Sequence, residues 1–223
     1  MKLKESILAV LGVSILGSLP VLSAAAVLTT DETKTLIFKA EEEKLARDVY
    51  RTLYKKWDIR SFSNISDAEQ RHMDRLSSLL MDYNLADPIS NDKTGEFNNP
   101  DLAKLYAELV KKGQSSSAAA LQVGAYIEEI DILDLQKAMA ETQQVDLDQT
   151  YANLMRGSRN HLRAFVRQIE KQGVAYVAQA MPQEEVDMIV NSPRERGEGN
   201  GHQGGKGQGG GQGQQKGKGQ KWQ

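Results

Sequence analysis

Four long stretches of this chain repeat apolar residues at helical spacing, and none sustains the two-residue alternation of a strand. That confines the fold class to all-α. The first helix is expected over about Thr33–Trp57. The second follows Ser66 and Asp67, natural N-cap residues, and runs to about Tyr83. A long connection, Asn84–Asn99, contains Asp87-Pro88 and the turn-like run Asn91–Gly95. Pro100 suits the first turn of a short helix over Asp101–Lys112, which Gly113 stops. The third long helix starts after Ser115–Ser117 and reaches about Thr142; the fourth covers about Asp148–Gln172 and stops at Gly173. A shorter helix around Gln183–Val190 follows Pro182. The long link between the second and third long helices is what a four-helix bundle with a crossover requires.

Two segments of other composition flank this region. Residues 1–26 open with Lys2 and Lys4, pass through an apolar run from Ile7 to Leu16, and end at Ala24 and Ala26. This is the pattern of a secretory signal peptide, with an apolar run short for a membrane span. It predicts export to the periplasm, cell surface or medium. Residues 194–223 hold 12 of the 19 Gly and seven Gln, a composition that cannot offset its chain entropy and is expected to be disordered. That tail reads as a solubilising segment, with binding of a polyanion as the alternative. The net charge of −2 averages +1 on the signal, +4 on the tail and −7 on residues 27–193, the expected domain.

Composition also limits the chemistry. The chain has no Cys, which excludes a disulfide framework, a thiolate metal site, an iron–sulfur cluster and a cysteine nucleophile. Its three His are His72, His161 and His202, the last in the tail.

On helical wheels, polar groups fall where a core should be. The second helix carries Ile65, Leu76, Leu79, Leu80 and Tyr83 in one stripe, with Glu69 and His72 inside it. The third carries Leu121, Ile132, Leu135 and Met139, with Glu128 at the centre and Asp131 nearby; Glu129 groups with Gln122 and Gln136 as a solvent row. The fourth places Ser158 and His161 on the face of Leu154, Phe165 and Ile169. The first carries Leu36, Ala46, Tyr50, Leu53 and Trp57, and both Glu42 and Glu43 reach that face. Unpaired buried carboxylates are costly, and these stripes offer no evident Lys, Arg47 being the nearest cation. A bound metal would resolve the conflict, and carboxylate with imidazole suits iron or manganese, and also zinc.

A Glu, then Glu-x-x-His, then a Glu, then a His-bearing helix resembles the ligand order of ferritin-like di-iron bundles. Glu43 and Tyr50 stand seven residues apart, like the ligand Glu and neighbouring Tyr of ferritins and rubrerythrins, which selects Glu43 over Glu42. The strings from Glu41 to Tyr50, Phe62 to Ile65 with Glu69 to His72, Ile127 to Asp131 with Val123-Gly124, and Gly157 to Phe165 resemble one branch of that superfamily. It is the uncharacterised bacterial and archaeal family called domain of unknown function 2202, over roughly residues 33–190. The resemblance implies Glu43, Glu69, His72, Glu128 and His161 as metal ligands, with Asp131 as a second carboxylate of rubrerythrin type. Ser158 stands where the fourth helix of ferritin-like di-iron bundles usually has the Glu of its Glu-x-x-His, three residues before His161. The second metal position is then weaker, absent in practice, or completed by Asp131.

The expected protein is an exported ferritin-like metalloprotein with a di-iron site, or a single iron or manganese. Tyr50 is the expected catalytic residue, hydrogen-bonding near the metal, and the activity is of oxidase, peroxidase or ferroxidase type. Expected partners are metal ions, dioxygen or peroxide, and an external reductant, since no Cys supplies a built-in donor; a homodimer is a further expectation. The alternative is a non-catalytic helical module that keeps a polar core and acts through partner contacts.

Overall fold

The computed structural model describes residues 27–89 and 91–197; the expected signal peptide and residues 198–223 of the expected tail lie outside them. Six helices and no strands occur among the described residues: α1 Thr30–Trp57, α2 Arg60–Asp82, α3 Pro100–Gly113, α4 Ser117–Glu141, α5 Val145–Glu170 and α6 Gln183–Asn191. They form a helical bundle. α1 lies along α2 and α4 along α5, and the two pairs meet through α1 with α4 and α2 with α5. α3 packs on α1 and α4, and α6 on α5.

Three helix starts differ from the sequence expectation, α5 beginning at Val145 rather than about Asp148. α1 begins three residues earlier, because Thr29 and Glu32 form a reciprocal capping box that satisfies its first donors. α2 begins at Arg60, before Ser66 and Asp67. Asp58 takes a left-handed conformation (φ 51°) and turns the chain directly from α1 into α2. Ser66 therefore sits inside the helix, its hydroxyl donating back to the Ser63 carbonyl at 2.9 Å instead of capping.

α1 is charged around its circumference and yet buried. Its outward charges hold the long connection in place: Glu41 accepts from the Asn98 and Asn99 amides, Asp48 from the Gly95 amide, Lys44 donates to the Lys93 carbonyl at 2.8 Å, and Arg47 pairs with Asp92. Arg47, expected as the cation nearest the inward acids, is thus committed to Asp48, Asp92 and Gln70.

The core is divided. One apolar cluster gathers Leu45, Val49, Tyr50, Phe62, Leu121, Leu162 and Phe165; the other gathers Leu36, Ala40, Leu76, Leu80, Leu135 and Leu154. Between them, on all four long helices, lies a slab of buried polar side chains.

The first four residues of the expected disordered tail, 194–197, are placed against the bundle, at α5. Glu195 pairs with Arg159 and Arg163, and its amide donates to Asn160 at 3.0 Å. Glu129, expected on a solvent row, is fully buried. It accepts from the Tyr176 hydroxyl at 2.5 Å and from the amides of Gln179, Ala180 and Met181. The segment after α5 folds over Glu129 and covers it, while Gln136 of the same row stays exposed.

Candidate metal centre

The polar slab contains two groups of ligand-type side chains. Glu43 of α1 joins Glu69 and His72 of α2; Glu69 also joins Glu128 of α4 and His161 of α5. In each group the three ligand atoms lie within 4.8 Å of one another. The spacing Glu69-x-x-His72 is what places two donors from α2 on one face.

Glu69 is shared, and its two oxygens are divided between the groups. Oε2 lies 2.7 Å from His72 Nδ1, and Oε1 lies 2.9 Å from His161 Nδ1. Glu43 Oε2 flanks His72 Nδ1 at 3.2 Å, and Glu128 Oε2 flanks His161 Nδ1 at 3.5 Å. The two imidazoles stack with ring centres 5.8 Å apart. The arrangement is nearly symmetric: one terminal Glu and one His on each side, with Glu69 between.

The donors fit a cation on chemical grounds. Glu43 Oε1, Glu69 Oε1 and His161 Nδ1 are buried without a hydrogen-bond partner. Glu69 Oε1 and His161 Nδ1 approach closely but are misaligned for a hydrogen bond. Native interiors rarely leave such atoms unmet. Carboxylate and imidazole are the donors that iron, manganese and zinc accept.

Electrostatics point the same way. Burial pushes Glu43 well above the ordinary carboxylate range and Glu128 up to about 7. Burial acts upward on Glu69 too, but the imidazoles of His161 and His72 hold it below its usual range. Burial opposes the charged form of His161, yet Glu69 and Glu128 raise it to about 10. The imidazoles, held protonated by these acids, supply the positive charge nearest to them.

The remaining expected residues sit around these groups. Tyr50 donates to Glu128 Oε1 at 2.6 Å, and its ring packs on Phe62 and Phe165 at 5.9 and 5.3 Å. Asp131 belongs to neither ligand group: Oδ1 accepts from Lys39 Nζ at 2.6 Å, and Oδ2 accepts from the Ser158 hydroxyl. Both Glu42 and Glu43 are buried, but they part company, Glu42 pairing with Lys39 while Glu43 faces His72.

Sequence reasoning missed two contributors. Lys39 is buried and is the internal cation that serves Asp131 and Glu42. Its signal was available, since it precedes Glu42 by three residues, one helical turn. Gly157 is the other. A Cβ built there would lie 2.8 Å from both Cε1 and Nε2 of His72, so only Gly leaves that ring its position. Next to Gly157, both imidazoles border a pocket of about 530 Å³ between α2 and α5.

Comparison with known proteins agrees in family and leaves function unassigned. The chain is similar to an uncharacterized protein of Methanocaldococcus jannaschii, MJ0754, at 49% identity over 170 residues, which is 76% of this chain and 92% of that protein. It is also similar to the crystal structure of the hypothetical protein MJ0754 from Methanococcus jannaschii, with 47% identity and a TM-score of 0.75, over 80% of this chain and 99% of that one. The model of an uncharacterized protein domain (DUF2202) matches residues 32–193, and the chain belongs to that family.

Proposed function

We propose that the chain is an exported metalloprotein whose helical bundle, ferritin-like in its ligand order, holds two metal ions, with iron favoured and manganese or zinc suited to the same donors. The observation that carries this reading is the sharing of Glu69 by two ligand groups, with buried oxygens on Glu43 and Glu69 left unmet. Glu43 and His72 would hold one ion, Glu128 and His161 the other, and Glu69 would bridge. Bound iron supplies one-electron chemistry toward dioxygen or peroxide, with reductant from outside because the chain has no Cys.

The protein's own groups shape that site. Tyr50 fixes Glu128 by donating to Oε1, which leaves Oε2 facing His161. Lys39 neutralises Asp131 and Glu42, so charge beside the centre is balanced without drawing on its ligands. Ser158, one turn before His161, ties Asp131 back and keeps it out of the ligand groups. The apolar clusters on either side keep bulk water from the slab, where each electrostatic contact is stronger than at the surface.

Elemental analysis of protein reconstituted anaerobically with iron tests this reading, with absorption spectra taken before and after peroxide. Between one and two iron atoms per chain are expected, together with an iron-dependent spectrum that peroxide changes. Metal-free protein after reconstitution with iron, manganese and zinc in turn would overturn it.

A further inference from the structure

The domain is acidic, yet the rim of the pocket beside the two imidazoles is basic. Arg71 of α2, Arg156 and Arg167 of α5, and Arg194 of the following segment all line it. Among the described residues none of these four guanidinium groups has a carboxylate within ion-pair distance, although acids outnumber bases in residues 27–193. The pocket's one acid, Glu195, is spoken for, because it pairs with Arg159 and Arg163. Arg71 and Arg156 each give one donor internally, to the Asp67 carbonyl and to Asn153 Oδ1, and keep their remaining donors; Asn64 and Asn153 line the same wall, and the floor is His72 and His161 themselves.

We propose that this pocket is the access route for a small oxyanion, a carboxylate or a phosphate, which the arginines hold against the histidine edge of the metal centre. This names the substrate class of the site proposed above, and as a substrate role it rests on that reading. The physical grounds are three. Guanidinium groups present paired donors that match the flat edge of a carboxylate or the face of a phosphate. Four guanidinium charges with no carboxylate partner among the described residues stand around one concave mouth, focus field lines there, and attract anions to an otherwise acidic domain. The volume, about 530 Å³, takes a small molecule and excludes a polymer. Gly157 contributes by its missing side chain, since any Cβ would push the His72 ring that forms the pocket floor.

The test is isothermal titration calorimetry of the full chain with inorganic phosphate, with acetate, and with neutral acetamide as the uncharged isostere. It is run on metal-free and zinc-loaded protein. Binding of phosphate or acetate but not of acetamide is expected, and the double variant Arg71→Ala plus Arg167→Ala, both exposed positions, should weaken it about tenfold or more. The equal-charge control Lys55→Ala plus Lys111→Ala, at exposed positions not lining this pocket, should leave it unchanged. Which of the two anions binds more tightly separates a carboxylate from a phosphate ligand. No anion binding to either form, or loss of affinity that the lysine control reproduces, would overturn the proposal. Zinc, iron and manganese each failing to bind while the arginine-dependent anion affinity persists would instead overturn the metal reading and leave the anion pocket standing.

Discussion

Single atoms decide much of this site. Gly157 is the sharpest case, because a methyl group there would collide with His72 and nothing else of consequence. Gly157→Ala should therefore lower metal affinity about 10- to 100-fold while leaving the thermal midpoint of metal-free protein nearly unchanged, as competition with a chromophoric chelator and a melting curve would show. Gly124 makes a useful contrast. A Cβ there meets the Phe165 ring at 2.6 Å, in an apolar layer, so Gly124→Ala should cost about 1–3 kcal/mol of stability by overpacking. Urea unfolding measures it. Lys39 acts through charge: Lys39→Met strands Asp131 and Glu42 in the interior, and the stability loss expected for a broken buried pair is about 3–5 kcal/mol. Glu69, His72, Glu128 and His161 could be nominated from sequence because each interrupts the apolar stripe of its own helix; periodicity left Glu42 and Glu43 open, and only the resemblance, through the spacing to Tyr50, selected Glu43. Lys39 also lies in the stripe of Leu36, Ala46, Tyr50 and Leu53 and was legible there, whereas Gly157 violates nothing on a wheel. The role of Gly157 exists only across helices, between α5 and α2, while Lys39 joins Glu42 on its own helix to Asp131 on α4.

At the level of helices and connections, local signals were legible in proportion to how local their physics is. Periodicity located the six helices of the described residues, and Pro100 marked the start of α3, which Asn99 proves to cap. The start of α2 was misplaced because Ser66 and Asp67 look like caps, while the true start at Arg60 has no side-chain cap and is set by the Asp58 turn. Glu129 was read as solvated because its helical row is polar; only the return of residues 176–181 over α4 buries it. Removing that carboxylate leaves three amides and a phenol without an acceptor, so Glu129→Ala should cost about 1–3 kcal/mol or more, read from denaturant unfolding followed by circular dichroism. The clasp after α6 has an acid signature. Hydrogen bonding from Arg159, ahead of the opposing effect of burial, holds the Glu195 carboxyl down to about 2 from an ordinary 4.5. A depressed carboxyl contributes stability that is complete above the unfolded value and lost as pH falls toward the folded one. Wild type and Glu195→Gln should thus differ most above about pH 4.5 and converge near pH 2, a difference that stability measured across that range will show.

Considered whole, the bundle is two apolar cores separated by a charged slab, and the slab joins α1, α2, α4 and α5 at one level. Ligands drawn from all four long helices mean that a bound ion stabilises the folded state alone. At a hundredfold excess over its dissociation constant it should add about 2.7 kcal/mol, seen as a rise in melting temperature that a chelator reverses. The double variant Glu69→Ala plus His72→Ala should abolish that rise; a melting curve indifferent to metal in both proteins would favour a purely structural bundle. The division of the core has a consequence in time as well as in energy. A continuous core opens as one unit, whereas two apolar caps on a polar disc can open one after the other. Without metal, amides near Leu36 and Leu80 should exchange with solvent independently of those near Val49 and Phe165; with metal, the two ends should keep a common clock.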